Sequence, residues 1–225
     1  MKRSAINRAM TEALEFCREL KFALPPFATW TLEDWQDKGH EYDEIRDNLL
    51  GWDVTDFGSG DFENIGLLLF TIRNGNHDNP KYFKPYAEKL LICNDKQVTP
   101  YHFHYKKVED IINRGGGTLV IKCYNSSEDG NELLDTPVKI YMDGREFMAE
   151  AGEEIRIGTG ESITLPTGQY HSFWGEGGKV LVGEVSVTND DKNDNRFLSA
   201  GSRFPTVEED EPILYPLVIE YPPAK

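Results

Sequence analysis

Apolar positions change their period near Gly51. Before it, Ile6, Met10, Ala13, Cys17 and Leu20 recur at three- and four-residue steps, the spacing of a single helix stripe. Ser4 or Asn7 is placed to cap that helix, and Pro25-Pro26 ends it or the segment that follows. Thr31-Leu32-Glu33-Asp34 reads as a capping signal with an acidic first turn. A second helix carrying Trp35 is therefore expected, running irregularly to about Leu50. After Gly58-Ser59-Gly60 the pattern becomes short apolar runs between turn residues. Residues 67–72 read as a buried strand and Asn74-Gly75-Asn76 as a turn. Further strands are expected over 89–93, 98–104, 118–123, 138–142, 154–157, 162–165, 171–174 and 180–187, with a late one over 213–220. Asp143-Gly144 between two alternating runs is a hairpin signal. Many short strands at this spacing suggest a sandwich or barrel. The organisation expected is a helical N-terminal extension over 1–60 and a β-barrel over 61–225.

Composition narrows the function classes. The chain has 225 residues, 39% of them hydrophobic, and a net charge of −15. That is enough apolar material for a globular core. It offers no basic stripe to neutralise phosphates, so neither nucleic acid nor an anionic membrane surface is an expected partner. Three cysteines, without a C-x-x-C pair, give no disulfide framework and point to a reducing compartment. With no apolar run after the charged start and none of transmembrane length, a cytoplasmic location is expected.

Candidate chemistry concentrates in His102-x-His104-x4-Glu109 and the later His171, which hold three of the five histidines. Tyr101-His102-Phe103-His104 alternates as a strand does, so His102 and His104 project from one face. Glu109 can return on the next turn or strand, and Pro166-Thr167-Gly168-Gln169-Tyr170 is a turn-forming run that could deliver His171. Three imidazoles and a carboxylate suit Mn, Fe, Co, Ni or Zn, and on an octahedral ion leave about two positions for water or substrate. Glu184, in the apolar run Val180-Leu181-Val182-Gly183-Glu184-Val185, is the first candidate for a general base, because a carboxylate in an apolar strand needs a partner or a task. An outward-facing strand carboxylate is the plain alternative. Lys89, at the start of the strand leading to His102, is the second functional candidate, beside the reading as an ordinary strand-start lysine. Asp191 and Arg196 are candidates for holding substrate hydroxyls, against a turn role for Asp190, Asp191 and Asp194 and simple ion pairing for Arg196. Glu208 and Glu209 lie in an acidic run that usually forms a solvated face. His40 and His77 read as surface residues, and Trp35, Trp52 and Trp174 as core, with stacking on a sugar kept open for Trp174.

These residues sit in a wider pattern. Glu109 is followed by Gly116, and His171 is preceded in Gly160-x5-Pro166-x-Gly168-x2-His171. This resembles the paired cupin signature, G-x5-H-x-H-x3–4-E-x6-G and G-x5-P-x-G-x2-H-x3-N. Lys96 stands where the first motif has Gly, and Gly175 where the second has Asn. A closer resemblance runs over nearly the full length. Pro100-Tyr101-His102-Phe103-His104, Lys107-x-Glu109-Asp110, Gly183-Glu184-Val185-Ser186, Asn189-Asp190-Asp191-x2-Asp194-Asn195, Arg203-Phe204-Pro205 and Glu208-Glu209-Asp210-Glu211 are similar to the bacterial D-lyxose isomerases.

That resemblance implies a mainly β fold, a cupin (double-stranded β-helix, jelly-roll) barrel with N-terminal α-helices. It also implies Mn²⁺, with Fe²⁺, Co²⁺ or Zn²⁺ as alternatives, and interconversion of D-lyxose with D-xylulose and of D-mannose with D-fructose. The expected route is a cis-enediol with one base working on one face. Two other classes stay open: an Fe-dependent cupin dioxygenase, and a sugar-binding cupin without turnover. Near the motif, Lys106-Lys107 is the only basic pair, so a small free sugar is expected rather than a phosphosugar. The N-terminal helices offer a surface on which two copies could pair, giving an expected homodimer.

Overall fold

In the computed structural model, which describes residues 1–191, 193–199 and 206–225, the chain opens with α1 (Arg3–Glu19). Two short helices follow, α2 (Leu32–Trp35) and α3 (Asp43–Asp47). Neither Ser4 nor Asn7 caps α1; the cap residue is Lys2, which makes no side-chain capping bond. The capping comes instead from the distant C-terminal acidic run. Asp210 accepts from the Ser4 backbone N–H at 2.9 Å and from its hydroxyl at 2.7 Å, and the Glu208 carbonyl accepts from Arg3 N–H. A carboxylate there also complements the positive end of the helix. Thr31 and Asp34 form the expected capping box on α2.

Twelve strands follow among the described residues. They are β1 (Gly51–Thr55), β2 (Leu67–Arg73), β3 (Tyr86–Cys93), β4 (Thr99–His104), β5 (Glu109–Ser126), β6 (Leu133–Leu134), β7 (Val138–Met142), β8 (Arg145–Ala149), β9 (Glu154–Ile157), β10 (Ser162–Leu165), β11 (Gln169–Val187) and β12 (Asn195–Phe197). The main path runs β1-β2-β3-β11-β5-β10-β7-β8, with β4 joining β11 and β12, and β6 and β9 joining β5. Two differences from the sequence reading stand out. The runs expected at 171–174 and 180–187 are one strand, and 118–123 is the far half of another. Gly175, Gly177 and Gly178, and Gly115 to Gly117, mark bends with register shifts rather than strand ends. The strand expected over 213–220 is absent: Pro212 and Pro216 have no N–H to donate, and Leu217 makes only an isolated bridge to Trp52. The expected division at residue 60 falls after β1, which is paired along its length with β2.

The two long strands serve two halves of the sheet. The first half of β11 lies between β4 and β5, and its second half between β3 and β5. Folded over in this way, the sheet encloses Leu67, Leu69, Leu91, Ile111, Leu119, Ile121, Ile140, Phe173, Val180 and Val182. On the outside, α1 lays Ile6, Met10, Ala13, Leu14 and Cys17 against Leu68, Phe70, Ile72, Leu90, Ile92 and Leu181. Because β2 is covered on both faces, it is apolar without alternation. Trp35 and Trp52 are each 1% exposed and belong to the core. No helix among the described residues is long and apolar enough to cross a membrane.

Candidate metal centre

Strand β4 carries His102 and His104, β5 begins with Glu109, and the turn over Pro166 to Gly168 delivers His171 at the start of β11. Gly168 makes this turn with φ +73°, a left-handed conformation that L side chains rarely adopt. The two departures from the cupin pattern meet each other. Lys96 takes the left-handed backbone that glycine favours, with φ 61°, and its N–H donates to the Gly175 carbonyl at 2.8 Å.

The four residues converge. One ligand atom from each of His102, His104, Glu109 and His171 lies within 4.8 Å of all the others, and all four residues are buried. Across the β4–β11 ladder His102 is the direct partner of His171. Each turns its Nδ1 to a backbone carbonyl, His102 to Pro100 at 2.9 Å and His171 to Gln169 at 3.1 Å. Protons on those Nδ1 atoms leave the Nε2 lone pairs pointing inward. The two Nε2 atoms are 3.1 Å apart, and Glu109 Oε1 is 3.1 Å from His104 Nε2 and 3.3 Å from His171 Nε2. Burial, reinforced by His171 and His104, pushes the His102 imidazole well below its usual range, which favours its neutral form. Acceptors turned toward one another in a dry site repel unless a cation lies among them. The residues therefore fit a divalent metal.

Lys107 ties this group to the proposed base. Its Nζ is 2.6 Å from Glu109 Oε2 and 2.8 Å from Glu184 Oε1, with all three side chains almost wholly buried. Burial works against the charge of each, and mutual attraction outweighs it. Glu109 is held well below the usual carboxylate range, Glu184 is lowered by Lys107 and then Lys89, and the Lys107 ammonium is raised. Glu184 faces inward because it shares the parity of Val180 and Val182 on β11. Lys89 is its cross-strand partner on β3. Lys89 Nζ stands 3.4 Å from Glu184, 3.5 Å from Asp191 and 2.7 Å from Asn189 Oδ1.

The histidines of β4, Glu109, Lys107, Glu184, Lys89 and Asp191 line one pocket together with Phe57, Leu67, Leu69, Leu91, Phe173 and Phe197, the last stacked on His102. Lys107 was not singled out from the sequence, where it reads as half of a basic pair. Arg196 is not brought to the pocket. On β12, it donates to the Gly130 carbonyl at 3.3 Å and to Asn131. Asp194 holds the turn after β4, accepting from the backbone N–H of Lys106 at 2.7 Å and of Lys107 at 2.9 Å. Glu209 pairs with Arg3 rather than with the pocket. His40 and His77 are exposed. Arg203-Phe204-Pro205 and Lys192 lie outside the described residues.

A family model described as D-lyxose isomerase matches residues 1–221. A D-lyxose/D-mannose isomerase from Serratia proteamaculans is 48% identical over 98% of this chain and 98% of its own. One of the same description from Escherichia coli O157:H7 is 47% identical over 98% of both chains. Among solved structures, an L-ribose isomerase mutant from Acinetobacter sp. DL28 in complex with L-ribose superposes with a TM-score of 0.61. It is 14% identical, over 92% of this chain and 98% of that one. The L-ribose isomerase of Cellulomonas parahominis gives a TM-score of 0.60 at 15% identity, over 92% of this chain and 98% of that one. At such identities these two establish the cupin-type fold alone.

Proposed function

The chain belongs to the D-lyxose isomerase family, and on that premise we propose that it interconverts D-lyxose with D-xylulose and D-mannose with D-fructose. We propose Mn²⁺ as its metal, held by His102, His104, Glu109 and His171. Membership of an isomerase family favours this reading over the oxygenase and the binding protein. The observation that carries it is the Lys107 bridge, which sets an inward, ionised Glu184 beside a buried four-ligand group in one pocket.

Aldose–ketose isomerisation moves one proton between C1 and C2 and another between O1 and O2. The metal would polarise the substrate carbonyl and lower the cost of enediolate charge. Glu184 acts as the base: its carboxylate removes the C2 proton of the aldose and returns it to C1 on the same face. Lys107 holds that carboxylate in place. Lys89, on the other side of Glu184, donates to a sugar oxygen and keeps the local charge balanced as negative charge moves onto the substrate. Asp191, at the rim beside Lys89, accepts from a sugar hydroxyl. The apolar wall excludes water from the reacting carbons. The substrate is a free sugar, since the pocket's two cations among the described residues, Lys89 and Lys107, are already paired with Glu184 and Glu109. A cytoplasmic homodimer completes the proposal, supported by the sequence features that predicted it.

An NMR time course of Mn²⁺-reconstituted protein with D-lyxose, under nitrogen in D₂O, tests the reading. Growth of D-xylulose, stopped by chelation, is expected. No product from either D-lyxose or D-mannose would overturn it.

A further inference from the structure

Thr99 opens β4, three residues before His102, so simple alternation would put the two side chains on opposite faces. The ladder to β11 corrects this. His171 pairs with His102 but Phe173 pairs with Thr99, with a register shift between the two pairs. A bulge of this kind re-aims side chains, and bulges recur beside active sites. Across this shift Thr99 joins His102, His104, Lys107 and Glu184 in the lining of one pocket. The residue is 2% exposed, and its Oγ1 has no hydrogen-bond partner among the described residues. Its backbone carbonyl is engaged, accepting from the Ser172 hydroxyl at 2.8 Å, so the orphan is the side chain alone.

An unpartnered buried hydroxyl is unfavourable, and valine would fill the same space on a strand equally well. The hydroxyl therefore has a use outside the folded chain itself. We propose that the Thr99 hydroxyl hydrogen-bonds a hydroxyl of the open-chain sugar in this pocket. This rests on the isomerase reading above and adds to it a residue that binds the substrate. Thr99 is a binding residue in this role; the carbon-bound proton belongs to Glu184.

Full-length Thr99→Val and Thr99→Ser, with the unaltered protein beside them, provide the test. Each is loaded with Mn²⁺, assayed for metal content, melted without sugar, and measured in steady state with D-lyxose and D-mannose. Thr99→Val is expected to keep its metal and to melt at the original temperature or above it, since it loses only an unsatisfied group. Its KM should rise about two- to tenfold, the worth of one neutral hydrogen bond, by more than kcat falls. Thr99→Ser should restore the KM. An unchanged KM for both sugars in Thr99→Val would overturn the proposal, as would a lowered melting temperature, which would make the hydroxyl structural. Failure of Thr99→Ser to restore KM would assign the effect to the methyl group and overturn it too. If the unaltered protein turns over neither sugar, the isomerase reading itself has failed and this inference falls with it.

Discussion

His102 and His171 stand opposite one another on β4 and β11, with their Nε2 atoms 3.1 Å apart and their Nδ1 atoms each turned to a carbonyl of their own strand. The sheet itself sets this pair, since a ladder register that joins the two residues also fixes the distance between their rings. Removing one partner is therefore expected to remove the ion. His171→Ala should bind Mn²⁺ at least about a hundredfold more weakly and lose turnover in parallel, as read by metal analysis after dialysis. Full metal occupancy in that variant would show that the four residues do not act as one site.

Glu184→Gln keeps the shape of the side chain and an oxygen for Lys107. It should retain the metal and lose at least about two orders of magnitude in kcat, measured with D-lyxose at saturating Mn²⁺. Near-normal turnover would move the proton transfer to another group.

Lys107 neutralises two buried carboxylates at once. Lys107→Met would take the nearest cation from Glu109 and leave Glu184 only the longer contact to Lys89, a loss of about 3–5 kcal/mol in this dry interior. Urea denaturation should show the midpoint falling with an unchanged slope. A variant as stable as the original would mean that water or another cation reaches the carboxylates.

Cys17, Cys93 and Cys123 are buried and free. Burial pushes their thiols up to about 11, 12 and 12 respectively, so thiolate is scarce at neutral pH. No thiol should react with Ellman's reagent at pH 7.5 in the folded protein, and all three should react in guanidinium. A fast-reacting thiol in the folded state would reveal opening of the helix or the barrel.

Arg3 is fully buried, and its guanidinium binds Glu209 at 2.7 and 2.9 Å and also Glu220. Arg3→Met should destabilise the protein by about 1–3 kcal/mol, below the figure for a wholly buried pair because Glu209 is 54% exposed. Thermal melts at low and high salt would test it, with the larger deficit expected at low salt.

Much of the centre was legible because it obeys local rules. The period of a strand places His102 beside His104, and a glycine turn precedes His171. The strand limits of β7, β9 and β10 followed from alternation and turn residues. What escaped depends on pairings between distant parts of the chain. Lys107 read only as half of the basic pair near the motif until β5 and β11 brought Glu109 and Glu184 to it. Thr99 joins the pocket lining across a register shift with β11. Arg196 looked available for substrate, yet β12 carries it to Gly130 and Asn131. The acidic run of Glu208 to Glu211 resembled a solvated face; its partners, Arg3, Ser4 and Asn7, lie at the other end of the sequence.

The unbroken apolar run of β2 has a further meaning when the protein is considered in a crowded solution. Leu67-Leu68-Leu69-Phe70-Thr71-Ile72 has the composition of a segment that stacks with copies of itself. Its outward half is hidden by α1 and by Phe27, which stacks on Phe70, and α1 is secured at its start by residues from the far end of the chain. An undocked helix would thus bare part of an apolar sheet face to neighbouring molecules, β2 itself staying paired with β1 and β3, so the Arg3 clamp doubles as a guard against self-association.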